Sequence, residues 1–257
     1  MMIFAFYEDS KLATPSLMDE IYDLRYRIFV EALAWSSLVK PDRRDRDQFD
    51  GDDALHVVDI HDGRVMAYSR LLPTTRPHLL SHVYPELVRG RSYPKAPDIF
   101  EWTRLCARSE IGDGDVLASR RLMVAIAEIC QYLGITGLIA QSKPGWVRRL
   151  NRLGWNAQPL ADPVVFDGRP TLALEARVSD RTVSTSRKCL GIDTDILDQP
   201  SLRDLAASKA KRHICAGALR RTGVLHAQRE IVPEPLDLCS LQVDGANRTY
   251  SAAMPVT

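Results

Sequence analysis

Residues 99–134, IFEWTRLCARSEIGDGDVLASRRLMVAIAEICQYLG, decide the fold. Ile99–Ala107 read as a strand, with Glu101 and the residues at even steps from it expected on one face. From Ser119 to Leu133 the apolar residues Leu122, Ala125, Ile126, Ile129 and Leu133 recur at helical spacing, and Gly134 closes the run. Between them, Arg108-Ser-Glu-Ile-Gly112-Asp-Gly114 is a glycine-containing connection. A strand feeding a helix through such a loop is the unit from which mixed α/β sheets are built.

Outward from this unit, Met1–Tyr7 predicts a strand and Thr14-Pro15 an N-cap with proline at the first helical position. Leu17, Ile21, Leu24 and Ile28 continue that helix to about Val30. Ala34–Asp53 holds too much Pro, Asp and Gly to be regular and predicts an ordered functional loop or a lid. Leu55–Ile60 and Arg64–Leu72 flank His61-Asp62-Gly63, an antiparallel hairpin signal. Pro73-Thr-Thr-Arg-Pro77 is a stiff connection, and Leu79–Val88 a short helical piece broken by Pro85. Downstream, Gly137–Gln141 reads as a buried strand, Pro144–Leu153 as a basic helix ended by Gly154, and Asn156–Leu160 and Thr171–Val178 as strands. The predicted order is β-α-loop-β-β-β-α-β-α-β-β, an α/β (α+β) mixed sheet flanked by helices. From Ser179 the composition shifts toward Ser, Thr, Asp, Pro and Arg, with one helical candidate at Ser201–Arg221. The expected division is therefore a domain over 1–180 and a partly helical C-terminal extension over 181–257.

Composition narrows the function. The chain has 257 residues, 45% of them hydrophobic, which is enough to fill a core. A formal net charge of +1 with interspersed signs argues against a general nucleic-acid binder. The apolar start lacks a basic leader and a cleavage site, and no run approaches the ~20 apolar residues of a membrane span. Five widely spaced cysteines, with no Cys-x-x-Cys, fit reduced thiols and a cytoplasmic location. Six scattered histidines give no helix face for a metal.

The stretch richest in chemistry is Leu24–Asp53, LRYRIFVEALAWSSLVKPDRRDRDQFDGDD. Arg25 and Phe29 are four apart on one helical face, Trp35 follows, and six aspartates lie between Asp42 and Asp53. Together with Arg70 ahead of Pro73-Thr-Thr and with Glu101-Trp-Thr-Arg104, this resembles the signature of the LuxI-type acyl-homoserine-lactone synthases. The matching positions are Arg25, Phe29, Trp35, Asp47, Asp50, Arg70, Glu101 and Arg104, over roughly Leu24–Leu160. The segment 40–50, KPDRRDRDQFD, is nearest the branch that uses acyl-CoA to make isovaleryl- or aryl-homoserine lactones. It departs from the family at Asp45, where Glu is usual, and at Leu105-Cys106, where an aromatic residue commonly follows the Arg. The element order is also similar to the Gcn5-related N-acyltransferase fold, whose strand-to-helix loop binds coenzyme A; the loop here has one extra residue.

That resemblance implies a reaction. S-adenosylmethionine is acylated on its amine by an acyl thioester, and its carboxylate then displaces methylthioadenosine to close a lactone, a quorum-sensing signal. Both are substrates, and no cofactor is implied; the thioester is acyl-CoA in preference to acyl carrier protein. Folding the substrate for ring closure calls for cations, anions and an aromatic face in one cavity. Phe29 and Trp35 would supply that face to the sulfonium by cation–π attraction, or would simply anchor the loop. Arg25, Arg70 and Arg104 with Asp47, Asp50 and Glu101 would hold substrate or form a mutual ion-pair scaffold. Glu101 is the candidate general base, paired with Arg104 as the catalytic set. Leu105, Ser142, Trp146 and Val147 are the candidate acyl pocket, or core. Lys143, Arg148, Arg149 and Arg152 are a candidate docking surface for coenzyme A or a carrier protein, or a solvated face. The rival readings are an N-acyltransferase acting on another amine and a silent sensor of S-adenosylmethionine or acyl thioester.

Overall fold

The computed structural model of the protein describes residues 1–108, 114–166 and 168–208. Among the described residues eight strands form one sheet: β1 (Met2–Phe6), β2 (Leu55–His61), β3 (Arg64–Pro73), β4 (Ile99–Ala107), β5 (Gly137–Ser142), β6 (Asn156–Pro159), β7 (Val164–Phe166) and β8 (Arg169–Arg177). Their order is β1-β2-β3-β4-β5-β8, with both β6 and β7 on β8. Every pairing is antiparallel except β4 with β5. Asp62 and Gly63 both take positive φ, 49° and 75°, as the tight turn between β2 and β3 demands.

Helices flank the sheet, among them α1 (Pro15–Tyr26), α2 (Leu79–His82), α3 (Gly114–Leu133), α4 (Gly145–Arg152) and α5 (Asp180–Leu190). On one face Leu122, Ile126 and Ile129 of α3 pack with Trp102, Trp146, Trp155 and Leu190. The other face buries Ile21 and Leu24 of α1 with Phe29, Trp35, Leu79 and Tyr84. Strand and helix periods thus divide the apolar residues between two layers, the ordinary way a two-faced sheet is covered. The expected mixed sheet flanked by helices is the architecture observed.

Three local features differ from expectation. The first helix does not run evenly to Val30: Arg27–Ala32 is a π-helical turn, widened by one residue. Strand β7 and helix α5 were not foreseen, because three residues or a Ser/Thr-rich amphipathic run carry little periodic signal. In β4 the even-step expectation fails at Arg104. Thr103 lies opposite Arg70 and Cys106 opposite Tyr68, so Arg104 and Leu105 together face the single residue Ser69. This is a β-bulge, with Arg104 at φ 55°. It keeps Glu101, Thr103 and Arg104 toward α1 and sends Leu105 to the α3 layer.

Two further features place the site. The β4–β5 ladder comprises only Ile99–Gly137, Phe100–Leu138 and Glu101–Ile139, so past Glu101 the strand keeps partners on β3 alone. The outer edge of β1 is covered by residues 196–198: Ile3 donates to the Ile196 carbonyl at 2.8 Å and accepts from Asp198 N–H at 2.9 Å. Ile192, Ile196, Leu197, Leu202 and Leu205 join the α3-side core. Residues 199–208 are helical; the expected continuation to Arg221, the loop over 109–113, Cys215 and Cys239 lie outside the described residues. No described helix is long and apolar enough to cross a membrane.

Candidate active site

The loop after the π-helical turn is drawn onto the sheet by charge. From Arg43 to Asp47 its alternation has a consequence: Asp45 and Asp47 point inward, while Arg44 turns outward to Asp19 and Asp23 of α1. Inside, three arginines from three elements meet three aspartates of the loop. Asp45 joins Arg25 (Oδ2 to Nε, 3.0 Å) to Arg104 (Oδ2 to Nε, 2.7 Å). Asp47 joins Arg70 (2.7 Å) to Arg104 (2.9 Å). Asp50 joins Arg25 (2.8 Å) to Arg70 (2.5 Å). Each carboxylate thus bridges a different pair of guanidiniums, and the ring is electrically neutral.

Burial makes that neutrality necessary. The side chains of Arg25, Arg70, Arg104, Asp45 and Asp50 are at most 2% exposed, and only Asp47, at 11%, reaches the surface. Burial alone would neutralise Asp45 and Asp47, but the guanidiniums outweigh it. Arg104 and Arg25 hold Asp45 below the usual carboxylate range, and Arg70 and Arg104 hold Asp47 far below it. Burial likewise works against the charge of Arg25 and Arg70, yet their aspartates raise both above the ordinary arginine value. The ring is buttressed from outside. Arg70 Nε donates to Thr103 Oγ1 at 3.1 Å, and the Arg25 guanidinium lies 5.4 Å and 5.6 Å from the ring centres of Tyr22 and Tyr68. Beneath it His56, opposite Arg70 in the β2–β3 register, shares a 2.9 Å hydrogen bond between Nδ1 and the Tyr68 hydroxyl. Burial lowers His56 to about 3, so it adds no third cation beside Arg25 and Arg70.

The predicted aromatic pair adjoins this ring. Ala34 takes φ 57° and Trp35 N–H bonds the Phe29 carbonyl at 2.9 Å, which folds the chain back on the π-helical turn. Phe29 and Trp35 stack with centroids 4.9 Å apart at 23°, and the Arg104 guanidinium sits 5.5 Å from the Phe29 centroid. A cation over this aromatic surface is already part of the structure.

Glu101 is not in the ring. Neither Arg25 nor Arg104 pairs with it; Asp45 occupies the place expected for it. Its fully buried carboxylate accepts the Leu79 N–H at Oε2 (2.7 Å), and the Leu80 N–H (2.7 Å) and Gln141 Nε2 (2.8 Å) at Oε1. Burial pushes it up to about 7, against these three donors and the Arg70 charge. It therefore holds the start of α2 on the sheet beside the ring.

The remaining candidates lie on the α3 side. Leu105 and Trp146 are core residues there, Val147 packs against that core, and Ser142 shares their face by strand alternation. The Ser142 hydroxyl is buried with no hydrogen-bond partner among the described residues. On α4 the Arg149 guanidinium lies 5.0 Å from the Trp146 ring centre, while Arg148 and Arg152 are exposed and Lys143 is half-buried. Sequence reasoning missed Asp45 as a ring member, Thr103, His56, Tyr68 and Gln141. Hairpin counting from the Asp62-Gly63 turn would pair His56 with Ser69; a bulge at Asp59–Ile60 shifts it to Arg70.

The autoinducer synthase family profile matches residues 9–185, a span that contains the whole ring, the aromatic pair and α2. The chain belongs to the autoinducer synthase family. It is 29% identical over 221 residues to the isovaleryl-homoserine lactone synthase of Bradyrhizobium diazoefficiens, covering 86% of this chain and all of that one. With the acyl-homoserine-lactone synthase of Ralstonia nicotianae it shares 35% over 155 residues, 58% of this chain and 76% of that one. Among solved structures it resembles BjaI, described as a CoA-dependent acyl-homoserine lactone synthase, at TM-score 0.73 and 28% identity, over 83% of this chain and 99% of that one. BjaI has been solved with MTA and with SAM and isopentyl-CoA. As a member of this family the chain is an acyltransferase of the acyl-homoserine-lactone synthase kind.

Proposed function

We propose that this synthase acylates the amine of S-adenosylmethionine with the acyl group of an acyl-CoA, then releases methylthioadenosine and an acyl-homoserine lactone. The observation that carries this is the neutral ring of three arginines and three aspartates set against the Phe29–Trp35 pair. Such a ring offers guanidinium donors to a carboxylate, acids to an amine, and an aromatic surface to a sulfonium within one small region. Acyl-CoA is preferred to a carrier protein because the likeness to BjaI, a synthase described as CoA-dependent, spans 99% of that chain.

In this reading the substrate ammonium gives one proton to the Glu101 carboxylate, which burial has brought to about 7, near working pH. The freed amine attacks the thioester carbon; a C–N bond forms, the C–S bond breaks, and the leaving thiolate takes the proton shed by the new amide nitrogen. The substrate carboxylate then attacks the carbon next to the sulfonium, closing the ring as the C–S⁺ bond breaks and neutral methylthioadenosine leaves. Arg104, Arg25 and Arg70 with Asp47 and Asp50 position the substrate. The acyl chain passes where β4 and β5 part, beyond the Glu101–Ile139 pair, to the α3 side of the sheet, where Leu105, Ser142, Trp146 and Val147 lie. Lys143, Arg148, Arg149 and Arg152 meet the phosphates of coenzyme A.

The test is mass spectrometry of products after incubation with S-adenosylmethionine and a panel of acyl-CoAs and acyl carrier proteins. Lactone and methylthioadenosine from acyl-CoA are expected. Turnover with carrier-protein donors alone would overturn the donor assignment, and a folded protein that consumes none would overturn the substrate pair. Glu101→Gln is expected to lower turnover by about 100-fold or more, the usual scale of a lost general base, with S-adenosylmethionine binding retained.

A further inference from the structure

Glu101 and Gln141 stand where the sheet parts. Ile139 is the last β5 residue laddered to β4, and Gln141, two residues on, crosses the gap with its side chain to reach Glu101. Both are fully buried. At Oε1 of Glu101, Leu80 N–H and the Gln141 amide fill both lone-pair directions; at Oε2, Leu79 N–H fills one and leaves one. Gln141 itself is half satisfied, since its Oε1 is buried without a donor among the described residues. Its amide cannot simply turn over, because the carbonyl would then face a carboxylate. A buried acceptor left open beside a buried acid is costly unless a donor arrives. A desolvated amine, with several N–H groups, is such a donor.

We propose that Gln141 is a substrate-positioning residue: its NH2 closes Oε1 of Glu101, leaving Oε2 as the single proton acceptor, and its own Oε1 receives a second N–H of the reacting amine. This rests on the reading of Glu101 as base. The ammonium's N–H bond breaks as the Oε2–H bond forms. The N–H held by Gln141 fixes the direction of the lone pair so released. The charged group acting on Glu101 is Arg70 from β3; α2 presents backbone N–H groups and β5 the neutral amide.

Steady-state kinetics of the full chain over pH, with S-adenosylmethionine varied, tests this. Gln141→Met keeps the volume and removes both hydrogen-bonding groups. It is expected to raise KM for S-adenosylmethionine about tenfold, the scale of one buried hydrogen bond. It also moves the acid limb of kcat/KM to higher pH, because the carboxylate has lost a donor, while the urea unfolding midpoint holds. Gln141→Glu sets a second carboxylate against Oε1 and is expected to move that limb further in the same direction. Unchanged KM and unchanged limb in folded Gln141→Met overturn the proposal, as does lost stability with the limb in place. If Gln141→Met does not fold, wild-type KM and limb in Gln141→Glu overturn it. Retained turnover in Glu101→Gln removes the base and with it this proposal. An inactive Glu101→Gln beside wild-type-like Gln141 variants removes the Gln141 role alone.

Discussion

Asp45, at 1% exposure, keeps its charge between the buried guanidiniums of Arg25 and Arg104. In the sequence it is a shortened acid with no assigned partner; in the fold it holds Arg25 and Arg104 together. Asp45→Ala leaves two buried guanidiniums short of a counter-ion and is expected to cost about 3–5 kcal/mol in urea unfolding. A loss under about 1 kcal/mol would mean that Asp47 and Asp50 carry the ring unaided. The titrations separate by sign. Glu101, raised to about 7 from 4.5, binds its proton more readily in the folded state, so its contribution to stability grows as pH falls through 7. His56, lowered to about 3 from 6.5, contributes fully above 6.5 and loses that contribution as pH falls toward 3. Asp45 and Asp47, both lowered, contribute fully above 3.8 and lose it below. Wild type is therefore expected to gain stability relative to Glu101→Gln between about pH 8 and 5 in thermal melts. A constant difference would place that carboxyl in the ordinary range.

At the scale of elements, two turns set how precisely the site is delivered. Ala34 adopts φ 57°, a left-handed conformation that costs a residue with a Cβ about 1 kcal/mol, and it does so to swing Trp35 onto Phe29. Ala34→Gly is expected to leave stability equal or up to about 1 kcal/mol higher in urea titration, offset by Gly's greater freedom when unfolded. A marked loss would show that the methyl group packs. Gly154 is the opposite case: at φ 84° a Cβ there would meet the Thr185 Cβ at 2.7 Å, so α4 and α5 close over it. Gly154→Ala is expected to cost roughly 1–3 kcal/mol from strain and clash, read as a lower Tm. The π-helical turn and the β4 bulge belong to the same class. Each inserts one residue to re-aim a side chain, Phe29 in one and Arg104 in the other, and neither leaves a periodic trace.

Across the molecule, residues 190–205, which follow the family's core motifs, are bound into the domain. Leu190, Ile192, Ile196, Leu197, Leu202 and Leu205 are all at most 6% exposed, and residues 196–198 complete the β1 edge. Burying each such side chain contributes about 1.5–3 kcal/mol, so the six together rival the ~5–15 kcal/mol stability of a domain. A chain ending at residue 179 is therefore expected to lack a cooperative urea transition, followed by circular dichroism. A sharp transition in that fragment would show that 1–179 folds unaided.

Local chemistry, written in consecutive residues, determined most elements and the members of the site. Pro15 after Thr14 starts a helix and Asp62-Gly63 closes a hairpin; Arg25, Phe29, Trp35, Asp47, Asp50, Arg70 and Arg104 could be named through their resemblance to the LuxI-type signature. Only the tertiary structure decided who meets whom. It replaced Glu101 by Asp45 in the charged ring, bound Glu101 to α2 and Gln141, and put Leu105 on the opposite face from Arg104. The physical reason is that pairing among buried charges follows strand register, and a one-residue bulge reverses every facing beyond it without changing the composition around it.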